Sequence, residues 1–588
     1  MRIAVIDRDR CQPRKCSREC EYFCPPVRTG DETIVFQDGK PVITESLCVG
    51  CGICIKKCPF GAIHIINLPN ELDKPIHRYG ENGFALYGLP VPVEGKVVGI
   101  LGPNGIGKST AVSLLSGLLC PNLGKEASWE EVIGFYSGSA LGDYLKMVVE
   151  HGISTAYKPQ YVSRIPKGYS GSVRSLLEMT DERGALFELA DKLSLNPIMD
   201  RDISSLSGGE LQRVAIAACA ARDANVYFFD EISPYLDVFQ RICAARAIRE
   251  LASDRSVIVV EHDLALLDLL ADAVHLVYGT PGAYGVITRP KGVRVGINQY
   301  IRGYLPDENI RTRSEAIKFE VHAPRTVKDV PVLVEYDTFT KSYSQFQLTA
   351  EAGVIRASEV VGILGPNGIG KSTYIKILGG IEKPDEGDLD LDLKISYKPQ
   401  YLKADSDISV REFLRGITTE IDSSYYQSEF VKPMGLEKLM DQPLTELSGG
   451  ELQRAAIIAC LSMEADLYLL DEPSAHLDVE QRMMTAKVMR RFAESAERSV
   501  LVVDHDIYLI DLLSERLIVF EGMPGKKGVS HPPCDMRTGM NCFLAGIEIT
   551  FRRDEDTRRP RVNKPGSRLD RSQKASGEYY YYAIEGSG

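Results

Sequence analysis

Short runs of consecutive apolar residues punctuate this chain, separated by longer segments whose apolar positions recur every three or four residues. Val97–Leu101, Val226–Phe229, Val360–Leu364 and Leu467–Leu470 carry no polar alternation and predict strands. Trp129–Ile133 and Leu141–Val149 have helical apolar spacing, broken at 136–140, and predict a helix-loop-helix. Near the start, Thr33–Phe36 and Pro41–Thr44 flank Asp38-Gly39 and predict a short hairpin. No uncharged apolar run reaches membrane length, and Met1–Arg10 has no signal-type apolar stretch. The expectation is a soluble, cytoplasmic chain with no transport channel of its own.

The pattern occurs twice. Residues 102–110 read Gly-Pro-Asn-Gly-Ile-Gly-Lys-Ser-Thr, and 365–373 repeat them. Each follows an apolar run, the strand-loop-helix setting of a phosphate-binding loop. Its glycines let backbone N–H groups face a polyphosphate, and the next helix offers its positive end. Asn104, Gly105, Gly107, Lys108, Ser109 and Thr110, with Asn367, Gly368, Gly370, Lys371, Ser372 and Thr373, are the expected nucleotide-binding residues. Lys108 and Lys371 reach the outer phosphates in this reading, and Ser109 and Ser372 hold Mg²⁺. Tyr79 and Tyr343 precede the loops at similar distances and are candidates for stacking on adenine, with plain packing as the alternative.

Further matched motifs follow in order: Tyr157–Gln160 and Tyr397–Gln400, Leu206–Arg213 and Leu447–Arg454, Val226–Glu231 and Leu467–Glu472, Glu261–Asp263 and Asp504–Asp506. From Lys108 to Gln160 is 52 residues, but from Lys371 to Gln400 only 29. The excess falls in 120–152, the helix-loop-helix, an insertion read as an exposed contact device. The repeat also runs past these motifs, where 279–285 and 296–303 match 522–528 and 539–546. Each copy thus ends in a small appendix followed by a basic stretch: Arg302, Arg311 and Arg313 in the first, Arg552, Arg553, Arg558, Arg559 and Arg561 in the second. We expect a two-part hinge along the interface of the copies, with the arginines also offered as contacts to RNA phosphate. The tail 570–588 is expected to be partly loose.

Length and charge bound the rest. The 588 residues suggest roughly three to five domains. A net charge of −12 excludes a wholesale nucleic-acid coat, so RNA contacts must come from local basic patches. Eight of the 14 cysteines lie in the first 58 residues. Cys48, Cys51, Cys54 and Cys58 spell C-x₂-C-x₂-C-x₃-C before Pro59, the ferredoxin run for [4Fe–4S] clusters, whose fourth cysteine serves the other cluster. Cys11, Cys16, Cys20 and Cys24 form a second run with wider spacing, before Pro25. The crossed pattern predicts two clusters, one on Cys24, Cys48, Cys51 and Cys54, the other on Cys11, Cys16, Cys20 and Cys58. Structural zinc is the alternative, and it usually draws paired CxxC motifs.

The doubled motifs resemble a tandem ABC-type ATPase, over nearly all of 77–528. The resemblance implies an α/β fold of two P-loop nucleotide-binding lobes arranged head to tail, an internal pseudo-dimer in a monomer, preceded by a small ferredoxin-like domain. The implied limits are 1–76 for the cluster domain, 77–288 and 321–528 for the lobes, and 289–320 and 529–588 for the hinges and tail. ATP would lie between one lobe's phosphate loop and the other's signature, Ser448, Gly450 and Glu451 or Ser207, Gly209 and Glu210. Asp230 and Asp471, with Gln160 and Gln400, would hold Mg²⁺ or its waters. Glu231 and Glu472 would activate water, and His262 and His505 would sense the γ-phosphate. The copies differ at Ile232 against Pro473, and Tyr235 is set against Ala475.

The whole arrangement resembles the E subfamily of ABC proteins, archaeal and eukaryotic ribosome-recycling ATPases also called the RNase L inhibitor family. That implies ATP hydrolysis driving ribosome splitting after termination or rescue. The implied partners are the small subunit and intersubunit space with rRNA contacts, a release factor or Pelota-type factor, and initiation factors as a further class; no membrane is implied. The competing reading is an iron-sulfur electron carrier gated by ATP, which reversible reduction at a useful rate would distinguish.

Overall fold

The computed structural model describes the chain apart from residues 1, 8–9, 38, 45–46, 50, 68–73, 151, 314–315, 320–329, 388, 390–392, 401–406 and 581–588. The four apolar runs are strands, and every residue of Val97–Leu101, Val226–Asp230, Val360–Leu364 and Leu467–Asp471 is buried. Parallel neighbours explain why no alternation was needed. In the first lobe Val97–Leu101 lies between Ser256–Val260 and Ala273–Thr280, parallel to both. Helices cover such a sheet on both faces. Val226–Asp230 and Thr155–Lys158 continue it on one side, and Tyr284–Ile287, Ala85–Tyr87 and His77–Arg78 on the other. The second lobe repeats the same strand order from Ile395–Lys398 to Phe339–Ser342. Among the described residues no helix is long and apolar enough to cross a membrane.

The insertion is a helix-loop-helix, Trp129–Phe135 and Ala140–Glu150. Ser128 and Glu131 close a capping box at its start. Val132 and Leu145 are fully buried against the first lobe, while Phe135, Met147 and Val149 stay exposed. The hairpin forms one residue off the expected frame, Ile34–Gln37 against Lys40–Ile43, and Asp38 lies outside the described residues.

The N-terminal domain joins Arg2–Ile6 to Ile63–Asn67 as an antiparallel pair. It clasps the first lobe through Asn82, a 3% exposed residue in the left-handed region (φ 52). Ile6 N–H donates to Asn82 O at 2.7 Å, and Ile43 N–H to Asn82 Oδ1 at 2.7 Å.

Both appendices are helices, Val293–Arg302 and Met536–Gly546, laid on the last long strand of each lobe. Their repeated glycine is a contact requirement: a Cβ on Gly296 would sit 2.3 Å from Val274, and one on Gly539 2.7 Å from Leu517.

Two expectations about the C-terminal stretch are corrected. Arg553, Arg559 and Arg561 do not face outward to RNA, because each is bonded to a carboxylate, Asp268 of the first lobe or Asp511 of the second. Arg559 is 0% exposed and donates to Asp268 of the first lobe (2.9 Å), Tyr508 of the second (3.0 Å) and Asn298 (3.1 Å). Arg561 grips the same Asp268 with two nitrogens, at 2.8 and 2.9 Å. Arg553 holds Asp511 at 2.6 and 2.8 Å. Asp268 and Asp511 occupy matching places on the helices Leu264–Leu270 and Ile507–Leu513. Arg302, Arg311 and Arg558 remain exposed. The tail is not loose through Tyr580: Arg568–Ser576 is a helix, and Tyr580 is 1% exposed with its hydroxyl on Asp511. Tyr581, Tyr582 and the residues after them lie outside the described part.

Candidate nucleotide and cluster sites

Each phosphate-binding loop turns from a buried strand into a helix, Lys108–Leu115 or Lys371–Leu378, capped by a left-handed glycine. A Cβ on Gly107 would meet the Phe84 ring at 2.6 Å, so φ 92 and close packing both require glycine there. Lys108 Nζ donates to Gly102 O (2.9 Å) and Pro103 O (2.7 Å), and Lys371 Nζ to Gly365 O (2.8 Å) and Pro366 O (2.6 Å). Burial pulls both ammonium groups down to about 8. A polyphosphate in the loop would offer them stronger acceptors than these carbonyls.

Ser109 Oγ donates to Asp230 Oδ2 at 3.3 Å, and Ser372 Oγ to Asp471 Oδ2 at 2.7 Å. A hydroxyl and a carboxylate side by side suit Mg²⁺, a hard cation that takes oxygen ligands. Gln160 and Gln400, expected at the magnesium, donate to Glu231 Oε1 and Glu472 Oε1, each at 2.7 Å.

Glu231 and Glu472 adopt left-handed backbone angles, φ 51 and 46. Such conformations cost about 1–3 kcal/mol and persist where neighbours over-determine them. The second acids do part of this. Glu261 accepts from the N–H groups of Ile232, Ser233, His262 and Asp263 at 2.7–3.0 Å. Asp504, one methylene shorter, accepts from Ser474 N–H at 2.9 Å and Asp506 N–H at 2.8 Å.

The carboxylates differ electrostatically. Burial, then the charges of Asp230 and Glu261, raise Glu231. Burial would raise Glu472 too, but His505, Gln400 and Lys371 outweigh it and leave it low. His505 Nε2 lies 3.5 Å from Glu472 Oε1, and His262 Nε2 lies 3.8 Å from Glu231 Oε1. His262 is 5% exposed with neither ring nitrogen bonded, and burial holds it well below its usual pKa. An unbonded buried nitrogen in a polar cleft fits a γ-phosphate oxygen.

The signature serines cap helices Gly208–Ala220 and Gly449–Ser462 through boxes with Glu210 and Glu451. The boxes satisfy the N–H groups of Ser207, Glu210, Ser448 and Glu451, and the helix ends carry positive potential. Ser448, Gly450 and Glu451 line one cleft of about 1430 Å³ together with Lys108, Tyr79 and His262. The lobes touch each other, at this cleft and at the second phosphate loop, through segments that spacing alone did not reveal. Asn367 N–H donates to Asp237 at 2.8 Å, and Asn104 N–H to Asp478 at 3.4 Å. Arg241 reaches the carbonyl of His505 at 3.1 Å. Tyr235 pairs by position with His476, not Ala475: both have φ 63, and their rings meet edge on at 6.0 Å. Asp237 and Asp478 stand six residues past each catalytic glutamate, a repeated signal that was available. Tyr79 and Tyr343 are 41% and 45% exposed, open to a planar base.

Gly450 has no room for a side chain, since a Cβ would lie 2.8 Å from His476 O. Gly450→Ala is expected to cut ATP turnover by about tenfold to a hundredfold, the penalty of a misplaced signature. Steady-state turnover beside nucleotide-analogue binding checks this.

The eight N-terminal cysteines are unpaired. They fall into the two expected groups: Cys20 faces Cys58, Cys16 and Cys11, while Cys54 faces Cys48, Cys51 and Cys24. The second group surrounds a small cavity walled by Ile34 and Ile43. Four thiols around an apolar space fit an iron-sulfur cube. Among the described residues no three His, Cys, Asp or Glu are grouped to hold a single metal ion. This domain also puts Asp7 and Arg10 on the large cleft, and Arg10 lies 3.9 Å from Glu451 of the opposite lobe.

Comparison with known proteins agrees with this geometry. The ABC transporter family matches residues 93–233 and 352–475, a Fer4-like domain of RNase L inhibitor matches 1–32, and a 4Fe-4S binding domain matches 41–64. An uncharacterized ABC transporter ATP-binding protein of Methanocaldococcus jannaschii is 54% identical, over 99% of this chain and 98% of its own. A solved structure of ribosome-bound archaeal Pelota and ABCE1 is similar with TM-score 0.94 and 52% identity, over 99% of both chains. So is a complex of archaeal ribosomal stalk protein aP1 with the archaeal ribosome recycling factor aABCE1, with TM-score 0.84 and 53% identity, over 87% of this chain and 100% of the other.

Proposed function

The chain belongs to the ABCE, or RNase L inhibitor, family, and from that premise we propose that ATP-driven closure of its two lobes splits ribosomes into subunits. It is an ABC-type ATPase with an iron-sulfur domain. The observation that carries the mechanical reading is the first cleft, where one lobe's phosphate loop, the other's signature and the cluster domain's Asp7 and Arg10 share one cavity. In this reading, narrowing that cleft displaces the cluster domain. Its load is the ribosome, met together with a Pelota-type or release factor, as in the ribosome-bound relative.

In the proposed cycle Lys108 and Lys371 leave their carbonyls for the outer phosphates of ATP. Ser109 with Asp230, and Ser372 with Asp471, would hold Mg²⁺, which would supply neutralisation of phosphate charge. The signature of the opposite lobe supplies N–H groups to the γ-phosphate. Gln160 and Gln400 then release Glu231 and Glu472, which take a proton from the attacking water. His262 and His505 bond the γ-phosphate and register its loss. We assign one cluster to Cys11, Cys16, Cys20 and Cys58, and a second to Cys24, Cys48, Cys51 and Cys54. Each quartet draws on both cysteine runs, so a cluster in either would tie them into one rigid lever. Domain limits at 76/77, 288/289, 320/321 and 528/529 are part of the same proposal.

The test is anaerobic sedimentation of ribosomes with this protein, ATP and a termination or rescue factor. Conversion of whole ribosomes to free subunits, dependent on ATP, is expected. Intact ribosomes with no co-sedimenting protein would reject the reading.

A further inference from the structure

Lys158 and Lys398, in the two Tyr-Lys-Pro-Gln stretches, have no part in the chemistry above. Yet they are charged side chains placed almost wholly out of water, 0% and 2% exposed. An ammonium group is not buried without partners that replace its hydration. In both lobes those partners are the same two backbone carbonyls. Lys158 Nζ donates to Asp230 O at 2.8 Å and Glu231 O at 2.6 Å. Lys398 Nζ donates to Asp471 O at 2.7 Å and Glu472 O at 3.3 Å.

The sheet register explains the placement. Lys158 pairs with Phe229 and Lys398 with Leu470, one residue before each Asp-Glu pair. The last side chain of one strand thereby curls over the end of its neighbour, where the acids begin. Both peptide groups of the left-handed glutamate are then pinned. Glu231 N–H donates to Val260 O at 2.9 Å, and its carbonyl receives Lys158 and Gln212 Nε2 (2.7 Å). Glu472 is held likewise, with Val503 O at 2.8 Å and Gln453 Nε2 at 2.7 Å. Two residues after each lysine, Gln160 or Gln400 touches the carboxylate itself. Departure of the glutamine would leave that carboxylate aimed only by its backbone.

We propose that Lys158 and Lys398 are positioning residues for hydrolysis. Each locks the strained turn of the neighbouring glutamate and keeps its carboxylate on the attacking water once the glutamine has moved to the nucleotide. The proposal rests on Glu231 and Glu472 being the general bases.

Lys158→Met and Lys398→Met keep the length of the side chain and remove its donors. They are tested in the full, cluster-loaded protein with the other site silenced, by Glu472→Gln for the first lysine and Glu231→Gln for the second. We expect kcat to fall by about tenfold to a hundredfold, with affinity for a non-hydrolysable ATP analogue held within about threefold. In single turnovers Lys158→Met should add nothing to the loss caused by Glu231→Gln, because it acts through that residue. Turnover within about twofold of the parent, equal losses of affinity and kcat, or full additivity with Glu231→Gln would each overturn the role. If the methionine forms do not melt cooperatively, Lys158→Gln, which keeps one donor, replaces them with the same split between kcat and affinity expected. Should Glu231→Gln itself leave turnover intact, the base assignment falls and takes this proposal with it. A loss confined to the lysine variants separates the two.

Discussion

Changing Glu231 and Glu472 together to glutamine is expected to abolish multiple turnover while preserving ATP binding. Glutamine fills the same space and can still bond Gln160 or Gln400, but it cannot accept a proton. Loss of a general base costs on the order of a hundredfold to ten-thousandfold. The phosphate loops, signature caps and histidines are untouched, so the lobes can still close. The doubly changed protein should therefore split ribosomes once and then stay on the small subunit. Phosphate release beside sedimentation reads both halves. Unchanged phosphate release would remove these residues from the role of base, and fast dissociation with no turnover would break the link between hydrolysis and departure.

The second large effect is expected from Asp268→Ala. Asp268 is buried, accepts from both Arg559 and Arg561, and lies on the helix that follows His262. Removing it strands a guanidinium that is 0% exposed. Breaking a buried pair from one side costs roughly 3–5 kcal/mol. Thermal unfolding should shift down accordingly. Where the variant is folded at the assay temperature, splitting per ATP hydrolysed should fall more than hydrolysis itself, because the arginine segment bridges the two lobes. Asp268→Asn, which keeps acceptors without charge, should recover part of the stability. Full stability with normal splitting in Asp268→Ala would dismiss the hinge as a coupling element.

The chemistry was legible because phosphate binding constrains the backbone itself. Gly107, Lys108 and Ser109 stand next to one another in sequence and act next to one another in space. The same holds for Cys48, Cys51 and Cys54. What escaped were contacts between distant segments. Arg559 was offered both to the interface of the copies and to RNA phosphate, and the sequence did not name its partner Asp268, 291 residues away. The cross-lobe bond from Asn367 to Asp237 spans 130 residues. Tyr235 matches His476 by equal spacing from Glu231 and Glu472, a register the sequence itself carries. The lysines at 158 and 398 were visible as a repeat, but a charged residue beside a strand end reads as exposed until the sheet covers it. The tail looked loose from its composition, although Tyr580 fills an interior site on Asp511 that only the folded second lobe provides.

Arg10 and Glu451 place the N-terminal domain in contact with the opposite lobe at one cleft, while Asn82 ties it to its own. Thermodynamic reciprocity then makes force on that domain a determinant of nucleotide affinity. A ribosome that holds the domain away from Glu451 changes the free energy of closing the first cleft by as much as closing it changes the grip on the ribosome. The second cleft, where no such contact occurs among the described residues, would feel the load through the lobes. Two sites built from the same motifs would then differ by attachment, the first being the one expected to weigh what the protein is holding.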